Sequence, residues 1–116
     1  MKTKIFLPNG GLLMKNFRTY DLAVEFYRLC QGVSVSRVLR DQLDRASSSI
    51  VLNLAEGWGR STEKDRARFY QIALGSLREC QAILDLSKSE STIQLRSADK
   101  LGAHIYRLIQ KVQAHP

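Results

Sequence analysis

Six basic residues lie on either side of the sequence Gly57-Trp58-Gly59 near the middle of the chain, and Trp58 lies among them. The basic residues are Arg40, Arg45, Arg60, Lys64, Arg66 and Arg68. Arginine and lysine bind phosphate groups, and an aromatic ring beside them offers a flat face on which an unpaired base stacks. This set therefore predicts a site for single-stranded or looped RNA. The alternative is a solvated turn in which Glu63 or Asp65 pairs with the neighbouring basic side chains and Trp58 packs under the loop.

A second basic set lies in the last third of the chain, where Arg96, Lys100, Arg107 and Lys111 follow one another in steps of four, seven and four. Those steps place all four side chains on one face of a helix. Asp99 is the only acidic residue near them in the sequence. The row predicts a surface that binds phosphates by charge, and the alternative is the exposed face of an ordinary amphipathic helix.

The net charge favours a polyanionic partner. The chain of 116 residues carries a formal charge of +7, and a balance this basic most often indicates a nucleic acid, although it also promotes solubility.

The two cysteines, Cys30 and Cys80, form no metal-binding or redox spacing, so we expect two buried free thiols in a reducing cytoplasm. No stretch is apolar enough to span a bilayer.

Residues for catalysis are scarce. His104 and His115 are isolated, and no Glu-x-x-His pair of the kind that builds di-iron sites in helical bundles is present. The Gly57-Trp58-Gly59 sequence lacks the spacing of a phosphate-binding loop. We therefore expect no enzymatic activity, no metal and no cofactor.

The elements that carry these residues follow from the periodicity of apolar residues. Steps of three and four predict helices over about 20–31, 36–57, 62–87 and 92–113. Short linkers between them favour an all-α, antiparallel up-down four-helix bundle over residues 16–116. Residues 1–15 carry no helical pattern, and the sequence Leu7-Pro8-Asn9-Gly10-Gly11 is typical of a turn, so we predict a flexible extension there.

Three details of the two middle helices are expected to shape the bundle. Gly57 or Gly59 is predicted to end the second helix in the left-handed conformation. Asn53 interrupts the apolar face of that helix, and we expect it to bond Ser76, Arg45 or a backbone carbonyl rather than a ligand. The third helix is predicted to turn the following residues inward: Phe69, Ile72, Ala73, Ser76, Leu77, Cys80, Ile83 and Leu84.

The middle third of the chain resembles one known family. The similarity rests on a long pattern that includes Gln42, Ala46, Ile50, Asn53, Glu56, Gly57, Gly59, Gly75 and Ser76. The pattern is similar to that of the four-helix-bundle proteins encoded in intervening sequences of bacterial 23S ribosomal RNA genes. The resemblance implies a homopentamer with a nucleic-acid role and no enzymatic activity. The alternative is a scaffold for another protein, such as a reverse-transcriptase-like enzyme, since retroelement accessory proteins resemble this fold more distantly.

Overall fold

Four helices make up most of the structure, a computed structural model that describes residues 4–6, 12–14, 17–87 and 91–114. They are α1 (Arg18–Cys30), α2 (Arg37–Trp58), α3 (Glu63–Leu86) and α4 (Thr92–Gln113). The predicted all-α fold class is confirmed. Each predicted helix is present, and none of its ends is displaced by more than two residues.

A small hairpin precedes the helices. Strand β1 (Lys4–Phe6) pairs with strand β2 (Leu12–Met14) in antiparallel register, with Ile5 opposite Leu13. The residue pattern of this segment does not predict these strands. The turn predicted at residues 7–11 lies outside the described residues, and the division at residue 15 stays a prediction.

Side-chain caps at Ser36 and Thr62 begin the two central helices. The Ser36 hydroxyl accepts a hydrogen bond from the Leu39 amide at 3.3 Å, and the Thr62 hydroxyl accepts one from the Asp65 amide at 3.1 Å. These bonds satisfy amide groups that the helix itself leaves unpaired. Glu63 and Asp65 in the first turn of α3 also oppose the positive end of the helix dipole.

The helices form a closed cycle of neighbours, in which α1 and α3 each pack against both α2 and α4. Residues later in α2 contact residues earlier in α3. Arg45 pairs with Glu79, and Ser49, further along α2, pairs with Ser76, which precedes Glu79. The predicted antiparallel arrangement requires this order.

The core lies along the axis of the bundle. Its large side chains that are almost completely buried come from all four helices and the residue before α1: Phe17, Phe26, Leu43, Ile50, Leu54, Leu77, Leu101 and Ile105. Cys30 and Cys80 are also buried, and both are free thiols. Packing of apolar faces supplies most of the stability of helices in proteins, so burial of these side chains is what holds the four helices together.

The inner face of α3 differs from the prediction at several positions. Ile72, predicted to be buried, is 42% exposed, whereas Tyr70 is buried. The two residues are 200° apart around the helix, so the core of this bundle lies closer to the Tyr70 side than the apolar pattern indicates. Phe69 and Ser76, also predicted to point inward, are only half-buried.

The predicted left-handed glycine at the end of α2 is wrong. Gly59 has φ −84° and ψ −7°, which is right-handed. Its amide instead bonds the carbonyls of Ala55 and Glu56 at 3.3 and 3.1 Å, and these bonds tighten the last turn of the helix.

Candidate nucleic-acid interface

Arg40, the first residue of the predicted RNA site, is a structural residue. Its guanidinium donates to the carbonyl of Cys30 at 3.1 Å, to the carbonyl of Val33, and to the Asp44 carboxylate at 3.0 Å. These bonds occupy carbonyls that the end of α1 leaves without partners in the helix. Arg40 therefore closes the turn between α1 and α2, and we remove it from the predicted nucleic-acid surface.

Arg45 is separated from the rest of the first set. It pairs with Glu79 across α2 and α3 at 3.0 Å, and its side chain is 68% exposed. It lies 13 residues before the end of α2 at Trp58, which is about 20 Å along the helix axis. The residues at the α2–α3 turn and Arg45 therefore do not form one patch.

Trp58 belongs to the core. Its ring stacks on that of Phe17, with centroids 4.0 Å apart and an angle of 24° between the planes. Only 9% of the residue is exposed. The predicted stacking of a base on Trp58 is wrong for this structure, and the alternative interpretation, in which the indole packs under the loop, is confirmed.

Two arginines at the α2–α3 turn hold that turn in shape. Arg60 pairs with Glu56 at 2.9 Å. Arg66 donates from Nε to the carbonyl of Arg60 at 2.9 Å and lies 3.8 Å from the Glu63 carboxylate. Part of their charge is thus already compensated within the chain.

Phe69 is the aromatic residue that contacts the basic side chains of the turn, which the sequence pattern did not indicate. The guanidinium carbons of Arg60 and Arg68 lie 4.7 and 4.4 Å from the centroid of its ring. Such contacts between a cation and an aromatic face contribute about 0.5–1 kcal/mol each at exposed sites. Phe69 is half-buried, so it orders these two arginines.

Lys64 and Arg68 are exposed and line an open cleft between the start of α3 and the end of α4. The other side of this cleft carries Val112 and Gln113. The cleft also contains Glu63 and Asp65, so its charge is mixed. Of the first predicted set, these two cations are the ones that stay accessible and have no carboxylate partner among the described residues.

The second predicted set forms one continuous surface, which we call the α4 row: Arg96, Lys100, Arg107 and Lys111. All four residues are exposed, on the side of α4 opposite the buried Ala98, Leu101 and Ile105. The first and last of them are 15 positions apart, about 22 Å along the helix. In residues 17–87 and 91–114, no ion pair involves any of them.

Residues 17–114 match the family model of the 23S rRNA-intervening sequence protein. The chain belongs to this family. The match covers all four helices and begins at Phe17, so strands β1 and β2 lie outside it. A search of curated proteins found no match.

The residues that carried the resemblance to the intervening-sequence family are divided between the core of the bundle and its exposed surface. Ala46 and Ile50 are buried, whereas Gln42 is exposed. Gly57 lies directly against the ring of Tyr70. Gly75 is exposed on α3, and nothing approaches within 4 Å of where a Cβ would stand.

Asn53 of the family pattern takes part in a network of side chains between the two helices. Its amide donates to the Ser49 carbonyl at 2.8 Å and to the Ser49 hydroxyl at 3.0 Å. The Ser49 and Ser76 hydroxyls are 2.9 Å apart and share a hydrogen bond. The expected backbone partner for Asn53 is therefore confirmed, and Ser76 joins the network through Ser49.

Two further findings concern the described residues alone. No helix among them is long and apolar enough to cross a membrane. Within the same part of the chain, no group of three or more histidine, cysteine, aspartate or glutamate residues is arranged to hold a metal ion.

Proposed function

We propose that this member of the intervening-sequence family binds structured RNA, or another nucleic acid, through the α4 row. The observation that carries the proposal is the row itself: four exposed cations on one helix face, without a carboxylate partner in the described part of the chain. Cations that are not paired within the protein are free to neutralise phosphates and release counterions. The family description, which names 23S rRNA, supports RNA as the ligand.

The proposed binding is directed by charge and shape. Arginine and lysine reach phosphate oxygens, which position a protein on a nucleic acid without reading its sequence. Lys64 and Arg68 at the α2–α3 turn add two further accessible cations. We propose no enzymatic activity, since none of these residues forms a set of nucleophile, base and acid.

We also propose that the protein assembles with itself as a homopentamer in the cytoplasm. Five chains at +7 each would carry +35 (5 × 7), which would strongly attract polyanions. The two free, buried thiols suit a reducing compartment.

The test of nucleic-acid binding compares two variants of equal net charge. Arg96→Glu with Arg107→Glu alters the α4 row, and Arg37→Glu with Arg78→Glu alters exposed arginines on other helices. Each pair lowers the net charge from +7 to +3 (7 − 4). Affinity for a folded 23S rRNA fragment and for duplex DNA is measured across a salt series, after bound nucleic acid has been removed.

We expect only the α4-row pair to make the fall of affinity with salt less steep. The decrease in slope should correspond to the loss of about one phosphate contact for each residue changed. An equal loss of affinity in both pairs would mean that net charge alone attracts the ligand. Absence of binding by the unaltered protein, even at low salt, would reject the proposal.

The oligomer is tested on the same variants by sedimentation. We expect five copies per particle in the unaltered protein and in the α4-row pair. Loss of assembly in the α4-row pair would mean that these residues lie in a subunit interface instead.

A second candidate function is a scaffold for another protein, such as a reverse-transcriptase-like enzyme. Seven large apolar side chains of the described residues are between 39% and 68% exposed: Val38, Leu52, Ile72, Leu86, Ile93, Leu95 and Tyr106. Exposed apolar surface favours protein contacts when it is contiguous. Intact assembly without any binding of RNA or DNA would favour this candidate.

A further inference from the structure

The groove between α1 and α4 brings together basic residues that are far apart in the sequence. The register of the two helices is fixed by Gln94, which donates to the carbonyl of Leu29 at 3.0 Å. Further along the groove, Leu22 of α1 and Lys100 of α4 both line one cavity of about 240 Å³. Because α1 and α4 contact each other in opposite sequence order, the groove continues beyond this cavity toward the start of α1.

One helical turn beyond the cavity, basic residues from both helices meet in the groove. Arg18 precedes Leu22 by one turn of α1, and His104 follows Lys100 by one turn of α4, so the two side chains lie opposite each other. Arg107 is the next residue of the α4 row and flanks His104 on the same face. Arg18, Lys100 and Arg107 are exposed, and His104 is half-buried.

The charges acting on His104 agree with this geometry. Partial burial lowers the pKa of His104 below its ordinary value of 6.5, and the positive charges of Arg107, Arg18 and Lys100 lower it further. Among the described residues these are the charges that act on the imidazole; one comes from α1, two from α4 and none from α3. The acidic residues of α1 closest to Arg18 in the sequence are Asp21, which is exposed, and Glu25, which lines the cavity. Neither is among the charges that shift the pKa of His104.

We propose that Arg18, Lys100, His104 and Arg107 form a binding site for a phosphate group, and that His104 takes up a proton when the phosphate binds. This inference rests on the proposed function and extends it, because Lys100 and Arg107 belong to the α4 row whereas Arg18 and His104 do not. The phosphate group is either a phosphodiester of RNA or a free phosphate ion.

The chemistry of the four side chains suits this ligand. Arginine presents a planar fork of donors that matches phosphate oxygens, and protonated histidine adds an N–H donor. An anion among four basic groups removes the repulsion that keeps the imidazole neutral. Binding therefore raises the pKa of His104, and by linkage affinity for the anion increases as the pH falls below 7.

The experiment follows the imidazole of His104 by NMR in the full-length protein, with His115 as an internal reference, since the sequence has two histidines. The pH titration is repeated with a short single-stranded RNA and with inorganic phosphate. We expect RNA to raise the pKa of His104 by about half a unit or more, and RNA affinity to increase about threefold as the pH falls. Arg18→Gln should abolish the rise. Arg28→Gln, a change elsewhere on α1, should preserve it.

Each outcome separates this site from the wider proposal. RNA that binds with a steep salt dependence but leaves the pKa of His104 unchanged would overturn the site and leave nucleic-acid binding standing. A rise with inorganic phosphate alone, removed by Arg18→Gln, would establish the site and reject RNA as its ligand. No rise with either ligand would overturn the site. As a further check, His104→Gln should make RNA affinity independent of pH between about 5 and 7.

Discussion

At Gly57 the α2 helix has no room for a side chain. A Cβ at this position would stand 2.6 Å from Cε1 and 2.9 Å from Cδ1 of Tyr70, and 3.1 Å from Cβ of Phe69. The ring of Tyr70 cannot easily move away, because it is buried with its centroid 6.4 Å from that of Phe17. The glycine thus allows the end of α2 to lie directly on the start of α3.

Gly57→Ala is expected to destabilise the protein. Overpacking of this kind costs about 1–3 kcal/mol, which outweighs the gain of about 1 kcal/mol from replacing a helical glycine by alanine. Urea unfolding at equilibrium measures the difference. The matched control is Gly75→Ala, where the space is open, and this change should raise the free energy of unfolding by about 0.5–1 kcal/mol. Similar effects of both changes would contradict the steric explanation.

At the residue scale, the sequence predicts which types of side chain surround the α2–α3 turn but not which of them face outward. Trp58 and Phe69 are both aromatic residues near that turn, and the tertiary contact with Phe17 places Trp58 in the core. Arg40 looks like any other helical cation in the sequence. Its structural role depends on carbonyls of the preceding turn, whose position the sequence pattern does not give.

At the scale of elements, the helix ends were predictable because short-range chemistry sets them. Ser36 and Thr62 act as caps through bonds to residues three positions later. The faces were less predictable, as Ile72 illustrates: it was expected on the inner face of α3 but is 42% exposed. When a helix has apolar residues on two adjacent faces, the face that its neighbouring helices cover is the one that becomes buried. Packing between the helices therefore decides which face is buried.

The hydrogen bond between Ser49 and Ser76 couples α2 to α3 and can be measured by a double-mutant cycle. Alanine at either position removes one partner of a half-buried pair, so each single change should cost about 0.5–1.5 kcal/mol. The double variant should cost less than the sum of the two. Ser48→Ala is the control, since that hydroxyl bonds the Arg45 carbonyl within its own helix. Additive effects at Ser49 and Ser76 would mean that the bond contributes no coupling.

At the scale of the whole molecule, the two thiols report on the opening of the bundle. Cys30 on α1 and Cys80 on α3 are both 0% exposed. Burial raises the pKa of the Cys30 thiol to about 12 and also raises that of Cys80. Both therefore remain protonated at neutral pH, whereas the thiolate is the reactive form.

We expect both thiols to resist alkylation until the bundle opens. Labelling with iodoacetamide, followed by mass spectrometry, should give the same slow rate at Cys30 and Cys80. Both rates should increase in parallel with urea, as the population of the open state grows. A short unstructured peptide containing one cysteine supplies the reference rate. Fast labelling of either thiol in the absence of urea would show that the core opens locally at that position.

The cycle of helix neighbours also bears on the order in which the protein comes apart. The α2–α3 contact joins segments separated by a short turn, whereas the α1–α4 contact joins the helices that are furthest apart in sequence and costs the most loop entropy to close. We expect the amides of α1 and α4 to exchange with deuterium by a partial opening in which α2 and α3 remain paired. A phosphate bound to Arg18 and His104 would join α1 to α4 and slow that opening. Ligand binding would therefore slow the deuterium exchange of these amides and protect the protein against partial unfolding.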